Sequence, residues 1–269
     1  MRQAGAPSEA GRTMTAPRFS IVTVNLDNHA GLAATWHSLR DQSFGDFEWI
    51  VVDAVSRDGS IDFLHALGDS RLALICEPDR SLYDGMNKGL DRARGDFLLF
   101  LNSGDRLADA EVLRRMADWP RLGETDIAYG DATEIGPQNT MIKRAMPHWM
   151  VAYSMFTHHQ AIFYRRAFIA STRYDLSFRR VADWALTATL LKRGAQARHI
   201  DLMVCHFARG GVSQAPDRIE DARAEMIRLH REVLGLPTAL SRLLVAAKFA
   251  VNDFRRKWPG AYDFIRSRV

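Results

Sequence analysis

The chain has 269 residues, 47% of them hydrophobic and 25% charged, with a net charge of +4. Those proportions suit a globular protein of one large domain, or one domain with an appendage, and no apolar run approaches the roughly 18 residues that span a bilayer. From Arg242 onward there are seven basic residues against two acidic ones, so this tail carries +5 and the remainder −1, which excludes a nucleic-acid-coating protein and points to a local electrostatic partner.

Residues 1–17 mix Gly, Pro, Ser and Arg without an apolar core, which predicts a disordered leader and not a signal peptide. Phe19–Asn25 is a β-rich run and the first predicted strand. Residues 30–42 carry Leu32, Trp36 and Leu39 at helical spacing. Phe47–Asp53 is a second strand that ends in a carboxylate. The turn Ser56 to Ser60 then offers an N-cap to a helix running to about Leu67. Arg71–Cys76 is a third strand.

The most polar stretch follows, from Asp79 to Asp105. It reads as a polar loop, a helix from Leu82 to Arg94 stopped by Gly95, an apolar strand Phe97–Leu101, and an Asn-Ser-Gly-Asp knot. A buried strand that delivers a carboxylate into the loop at its C-terminal end is how open α/β sheets build ligand sites. Strands alternating with helices, and strands without period-2 alternation, predict a parallel, doubly wound sheet covered on both faces.

The second half is less regular. Asp126–Asp131 predicts another strand and 132–150 an irregular or hairpin segment. His158–Arg166 reads as a strand-to-helix junction, Val181–Arg193 as a helix, and Ile200–Phe207 as a strand. Two helices follow, about Asp217 to Leu234, and Thr238, as N-cap, to about Lys257. The second has an apolar stripe at Leu240, Leu243, Leu244, Ala247, Val251, Phe254 and Trp258 with basic flanks. That pattern suits either an interfacial membrane helix or a helix packed on its own domain or a partner subunit. Cys76 and Cys205 sit in apolar runs and read as buried free thiols, which fits a reducing, cytoplasmic compartment.

Thr23-Val-Asn25, Ser38 to Gln42, Val52-Asp53 with Ser56 to Ser60, Asp79 with Tyr83 to Gly89, and Leu101 to Asp105 occur in that order. This ordered set resembles the inverting family-2 glycosyltransferases of the GT-A fold, and is similar to bacterial enzymes of capsule, O-antigen or colanic-acid assembly. The likeness extends over about residues 19–215. It implies an α/β fold with one Rossmann-like, mostly parallel sheet flanked by helices. The catalytic domain would span 18–215, with a nucleotide-sugar half (18–105) and an acceptor half (106–215), and basic amphipathic helices would fill 216–269.

The resemblance also implies roles for residues. Thr23, Val24 and Asn25 would line the donor pocket with Asp53 and Asp79, and Asn87, Lys88, Asn102, Ser103 and Gly104 would face the nucleotide-diphosphate-sugar. Asp105 would hold a Mg2+ or Mn2+ that bridges the diphosphate, with His206 in reach. Asp183, at the start of a helix, would be the general base that deprotonates the acceptor hydroxyl, with Trp184 as an apolar wall that raises its pKa. His159, Gln160 and Trp184 would form the acceptor side, for a saccharide or lipid-linked saccharide at the cytoplasmic face of an inner membrane. Arg209 to Ser213 would be a loop that closes over the diphosphate.

Two departures from the family pattern stand out. The knot holds one carboxylate where two are common, and Ala54 stands where a second acidic residue often follows Asp53, so the nucleotide is left open. A second reading is therefore a nucleotide-sugar-binding or scaffold protein that kept the fold and lost activity. A sugar-phosphate nucleotidyltransferase ranks last, because Asn25 to Gly31 lacks a Gly-rich triphosphate loop.

Overall fold

The computed structural model describes residues 16–136, 140–208 and 219–258. The leader through residue 15, the Arg209–Ser213 loop and residues 259–269 lie outside the described residues.

The first half alternates as expected: β1 (Phe19–Asn25), α1 (His29–Arg40), β2 (Phe47–Asp53), α2 (Ser60–Ala66), β3 (Leu72–Cys76), α3 (Leu82–Arg92) and β4 (Phe97–Phe100). After β4 come β5 (Arg106–Leu107), α4 (Val112–Ala117), β6 (Ile127–Ile135), β7 (Thr140–Lys143), β8 (Ile162–Arg165), α5 (Arg166–Ile169), α6 (Ala182–Lys192) and β9 (Ala197–Ala208). The described chain closes with α7 (Ile219–Glu232) and α8 (Thr238–Lys257). The segment 132–150 resolves into the end of β6 and a hairpin partner, β7.

All strands join one sheet in the order β3-β2-β1-β4-β8-β6-β9-β5, with β7 paired to β6. The pairs β3-β2, β2-β1 and β1-β4 are parallel. β8 enters antiparallel between β4 and β6, and β9 lies parallel to β6. Every residue of β1 and β2 is buried, which explains the missing alternation in their sequences.

One face packs Val22, Val24, Ile50, Val52, Leu98 and Phe100 against α3 and α6. The other packs Phe19, Ile21, Trp49, Val51, Phe97 and Leu99 against α1, α2 and α4. Each such buried side chain contributes roughly 1.5–3 kcal/mol of transfer free energy. α3 lies unusually close to β1: a Cβ on Gly85 would sit 2.8 Å from the Val24 side chain and one on Gly89 2.3 Å from that of Val22. Only hydrogen at those positions allows the approach.

Two local expectations are corrected. Cys76, the last residue of β3, is exposed, because β3 is the edge strand, while Cys205 is buried. The N-cap of α8 is Pro237 and Thr238 is the first helical residue, with no side-chain cap.

Candidate active site

In the sheet the chain leaves β1 for β2 on one side and returns through α3 to β4 on the other, so the sheet's switch point lies between β1 and β4. The carboxyl ends of β1, β2 and β3 are level there, with Asn25 opposite Asp53 and Asp53 opposite Cys76.

Asp53 is fully buried. Its carboxylate accepts the Ser56 N–H at 2.6 Å, the Ser56 hydroxyl at 2.9 Å and the Asn25 amide at 2.7 Å. It locks the turn after β2 and ties β1 to β2. Thr23 is likewise buried, donating to the Leu101 carbonyl at 2.7 Å and accepting from Trp49 Nε1 at 2.9 Å. Val24 is packed in the core under α3. The side chains of Thr23 and Val24 thus support the strand that bears Asn25.

What remains open on this side is a pair of buried oxygens without partners, Asn25 Oδ1 and Asp79 Oδ2. The other Asp79 oxygen holds Lys88 Nζ at 2.6 Å, and Lys88 also reaches the Pro78 carbonyl (2.7 Å) and Glu77 (3.0 Å). Burial works to lower the Lys88 pKa, but Asp79 and Glu77 raise it overall. Lys88 therefore positions Asp79. Asn87 is engaged at both ends, donating to the Tyr174 carbonyl (3.0 Å) and accepting from its N–H (2.8 Å), which corrects its reading as a donor contact.

The loop 102–105 is cradled by α1. Thr35 Oγ1 accepts the Gly104 N–H at 3.0 Å and donates to the Asp105 carbonyl at 2.7 Å, while the Asn28 amide reaches Ser103 Oγ at 3.0 Å. The backbone turns at Gly104 with φ +102°. Asp105 lies inward, 4% exposed, accepting Gln160 Nε2 at 2.8 Å and the Ala208 N–H at 3.0 Å. Burial pushes its pKa up to about 6, against the pull of the Ala208 N–H, Gln160 and the His159 charge. Gln160 is thereby corrected from the acceptor side to the support of Asp105.

Across the crevice, α6 carries Asp183 in its first turn. His159 Nδ1 lies 3.3 Å from Asp183 Oδ2, and the Tyr83 hydroxyl 3.4 Å from Oδ1. The far ring nitrogen of His159 meets the Asn102 amide at 3.5 Å. Nδ1 is the ring nitrogen that faces Asp183, and its N–H donates to the carboxylate. Burial works to raise the Asp183 pKa, but the His159 hydrogen bond and charge, helped by the Trp184 N–H and Tyr83, outweigh it. The net shift is downward, opposite to the rise expected from an apolar wall. Trp184 supplies no such wall: it is 3% exposed and donates to the Val151 carbonyl at 2.7 Å, a core residue and not an acceptor platform.

The fit of a divalent cation can be judged from the oxygens near Asp105. Asn102 Oδ1 and Gln160 Oε1 are buried without partners, and Asp105 is a buried carboxylate whose hydrogen bonds come from an amide and a backbone N–H. Hard cations take such oxygens. Yet among the described residues no three His, Cys, Asp or Glu side chains gather to hold an ion. The residues fit a weak oxygen site that phosphates must complete. His206 stands opposite Arg106 in the sheet, two residues before the Ala208 N–H that binds Asp105, and its Nδ1 is buried without a partner.

Sequence reasoning missed Thr35, Asn28 and Tyr83. Thr35 left a signal, a hydroxyl inside the apolar face of α1 between Leu32 and Trp36.

The model of the family described as Glycosyl transferase family 2 matches residues 20–186. The PGL/p-HBAD biosynthesis glycosyltransferase of Mycobacterium tuberculosis is 35% identical over 210 residues, covering 74% of this chain and 80% of that protein. Among solved structures, S. aureus TarS 1-349 in complex with UDP-GlcNAc aligns with a TM-score of 0.68 at 18% identity, over 86% of this chain and 71% of that one. The mannosyltransferase PcManGT from Pyrobaculum calidifontis, in complex with GDP-Man and Mn2+, aligns with a TM-score of 0.60 at 17% identity, over 95% and 80%.

Proposed function

Because the chain belongs to glycosyl transferase family 2 and has the GT-A fold, we propose that it moves one sugar from a nucleoside-diphosphate-sugar to a saccharide acceptor with inversion, using Asp183 as general base. The observation that carries this reading is the chain of contacts from Asp183 through His159 to Asn102, which joins an ionised carboxylate to the loop at the switch point.

In the reaction the acceptor hydroxyl gives its proton to Asp183 as its oxygen bonds to the anomeric carbon. The bond from that carbon to the diphosphate oxygen breaks on the opposite face, and the electron pair leaves with the diphosphate. His159 and Tyr83 orient the carboxylate, and Asn102 contacts the far side of the imidazole. Asp105 and Asn102 would hold a Mg2+ or Mn2+, whose charge would favour the departing diphosphate.

Asn25 Oδ1 and Asp79 Oδ2 are acceptors awaiting donors. They favour a base with a ring N–H, uracil or guanine, over cytosine or adenine, whose ring nitrogens there are acceptors. The M. tuberculosis relative is named for PGL/p-HBAD biosynthesis, and for this chain we take a lipid-linked or surface-glycan acceptor. A panel of UDP-, GDP-, ADP- and CMP-sugars tests the donor reading. Turnover with a uridine or guanosine donor is expected; turnover confined to ADP- or CMP-sugars contradicts it.

The C-terminal helix extends the reading to a cytoplasmic membrane surface. α8 docks on the domain through Ser241 and Val245, leaving Leu243 (65% exposed), Val251 and Trp258 outward beside Arg242. No helix among the described residues is long and apolar enough to cross a membrane. An exposed apolar line with basic neighbours suits an interfacial helix on anionic lipid. In co-sedimentation with phosphatidylglycerol vesicles the protein is expected to pellet, and Leu243→Glu with Val251→Glu to reduce pelleting several-fold. Equal partitioning of both forms contradicts the membrane role.

A further inference from the structure

α6 begins without a side-chain cap of its own: Val181, its N-cap residue, supplies none. The backbone that leads into α6 is held instead by the C-terminal helices. Glu225, in the middle of α7, accepts the N–H of Arg179 at 2.8 Å on one carboxylate oxygen. Its other oxygen accepts the N–H groups of Arg180 at 2.8 Å and Val181 at 3.2 Å. Three consecutive N–H groups converging on one carboxylate form an anion nest on the segment that leads into α6, ending at its N-cap residue Val181. Asp183 is two residues further on.

The same segment reaches Asp183 by a second route. The Arg180 carbonyl lies 3.3 Å from the Tyr83 hydroxyl, whose other partner is Asp183 Oδ1 at 3.4 Å. One hydroxyl proton serves two acceptors, so where Glu225 holds Arg180 decides how fully Tyr83 serves Asp183. α7 and α8 also grip the next residue. His230 meets the Trp184 ring edge-on at 5.7 Å between centroids, and Lys248 Nζ lies 5.2 Å from the centre of that ring.

We propose that Glu225 is a positioning residue for the general base. From outside the matched family segment, its carboxylate fixes the backbone of 179–181, and through it the first turn of α6 and the Tyr83 hydroxyl, so that Asp183 meets the acceptor hydroxyl in one orientation. The proposal rests on the reading of Asp183 as base. Misplacement of a catalytic group by about 1 Å can reduce rate by roughly 100-fold.

The test is steady-state kinetics of Glu225→Ala, Glu225→Gln and Asp183→Asn on the full chain, alongside thermal unfolding. The probe is whichever of UDP-GlcNAc, UDP-glucose or GDP-mannose the unsubstituted protein turns over. Glu225→Ala is expected to lower kcat by about 10- to 100-fold with donor KM within about twofold. Glu225→Gln, which keeps one accepting oxygen, should restore part of that loss. Unchanged kcat in Glu225→Ala beside an inactive Asp183→Asn overturns the positioning role and leaves the base reading intact. An active Asp183→Asn overturns the base reading, and this proposal with it. If Glu225→Ala does not fold, Glu225→Gln decides: native unfolding temperature with reduced kcat supports positioning, and normal kcat with a lowered unfolding temperature shows a structural tie only.

Discussion

Asp183→Asn is expected to lower kcat for transfer by about 1000-fold and to leave donor KM within about twofold. The substitution preserves shape and keeps one oxygen to accept from His159, but an amide does not take the acceptor proton at neutral pH. General acid–base groups contribute roughly 100- to 10,000-fold, and a loss confined to kcat marks an interaction made only in the transition state. The structure sharpens this expectation. Asp183 has its pKa lowered although it is buried, because His159 and Tyr83 both address its oxygens. It is therefore ionised across the neutral range and ready to accept a proton. A variant that keeps more than a tenth of wild-type kcat would remove Asp183 from the chemistry.

Asp105→Asn is expected to stabilise the metal-free protein at pH 7.5 while lowering turnover about 100-fold. Asp105 is 4% exposed and its pKa is pushed up to about 6, chiefly by burial. An acid whose pKa is higher folded than unfolded binds more protons in the folded state, so stability falls as pH rises from about 4 to 6 and the full penalty stands above that. The shift corresponds to about 2–3 kcal/mol, or roughly 4–10 °C in a chain of this size. The amide can replace the carboxylate without orphaning its neighbours. Its oxygen accepts the Ala208 N–H, and its NH2 faces Gln160, whose Oε1 has no partner and whose amide can flip to meet it. Thermal unfolding with a chelator at pH 4 and pH 7.5 checks this. The gain should appear at pH 7.5 and vanish at pH 4; destabilisation at pH 7.5 contradicts the burial account.

Much of the fold was legible because its signals are local. Phe47–Asp53 has the bounds read from sequence, and the last helix starts one residue earlier than read, since apolar runs and helical periodicity mark both directly. The outline of the site was legible for the same reason: polar residues at the ends of apolar strands meet at the switch point. Which polar atoms face the crevice was not. Thr23 and Asn25 lie two residues apart on one strand and both are buried, yet Thr23 bonds inside the sheet and Asn25 keeps a free oxygen at its end. Asn87 and Trp184 were misread because their partners, Tyr174 and Val151, are distant in sequence and meet them only through packing. Glu225 left no signal at all. It is one acidic residue on an amphipathic helix, and its role depends on three N–H groups more than 40 residues away.

The donor panel, read by proton NMR during turnover, tests the central claim most directly. When a uridine or guanosine diphosphate sugar is consumed, the first sugar product should carry the anomeric configuration opposite to that of the donor, with an equal amount of nucleoside diphosphate released, and Asp183→Asn should abolish the signal. Retained configuration, or donor binding without any turnover, contradicts an inverting transferase that uses Asp183 as its base.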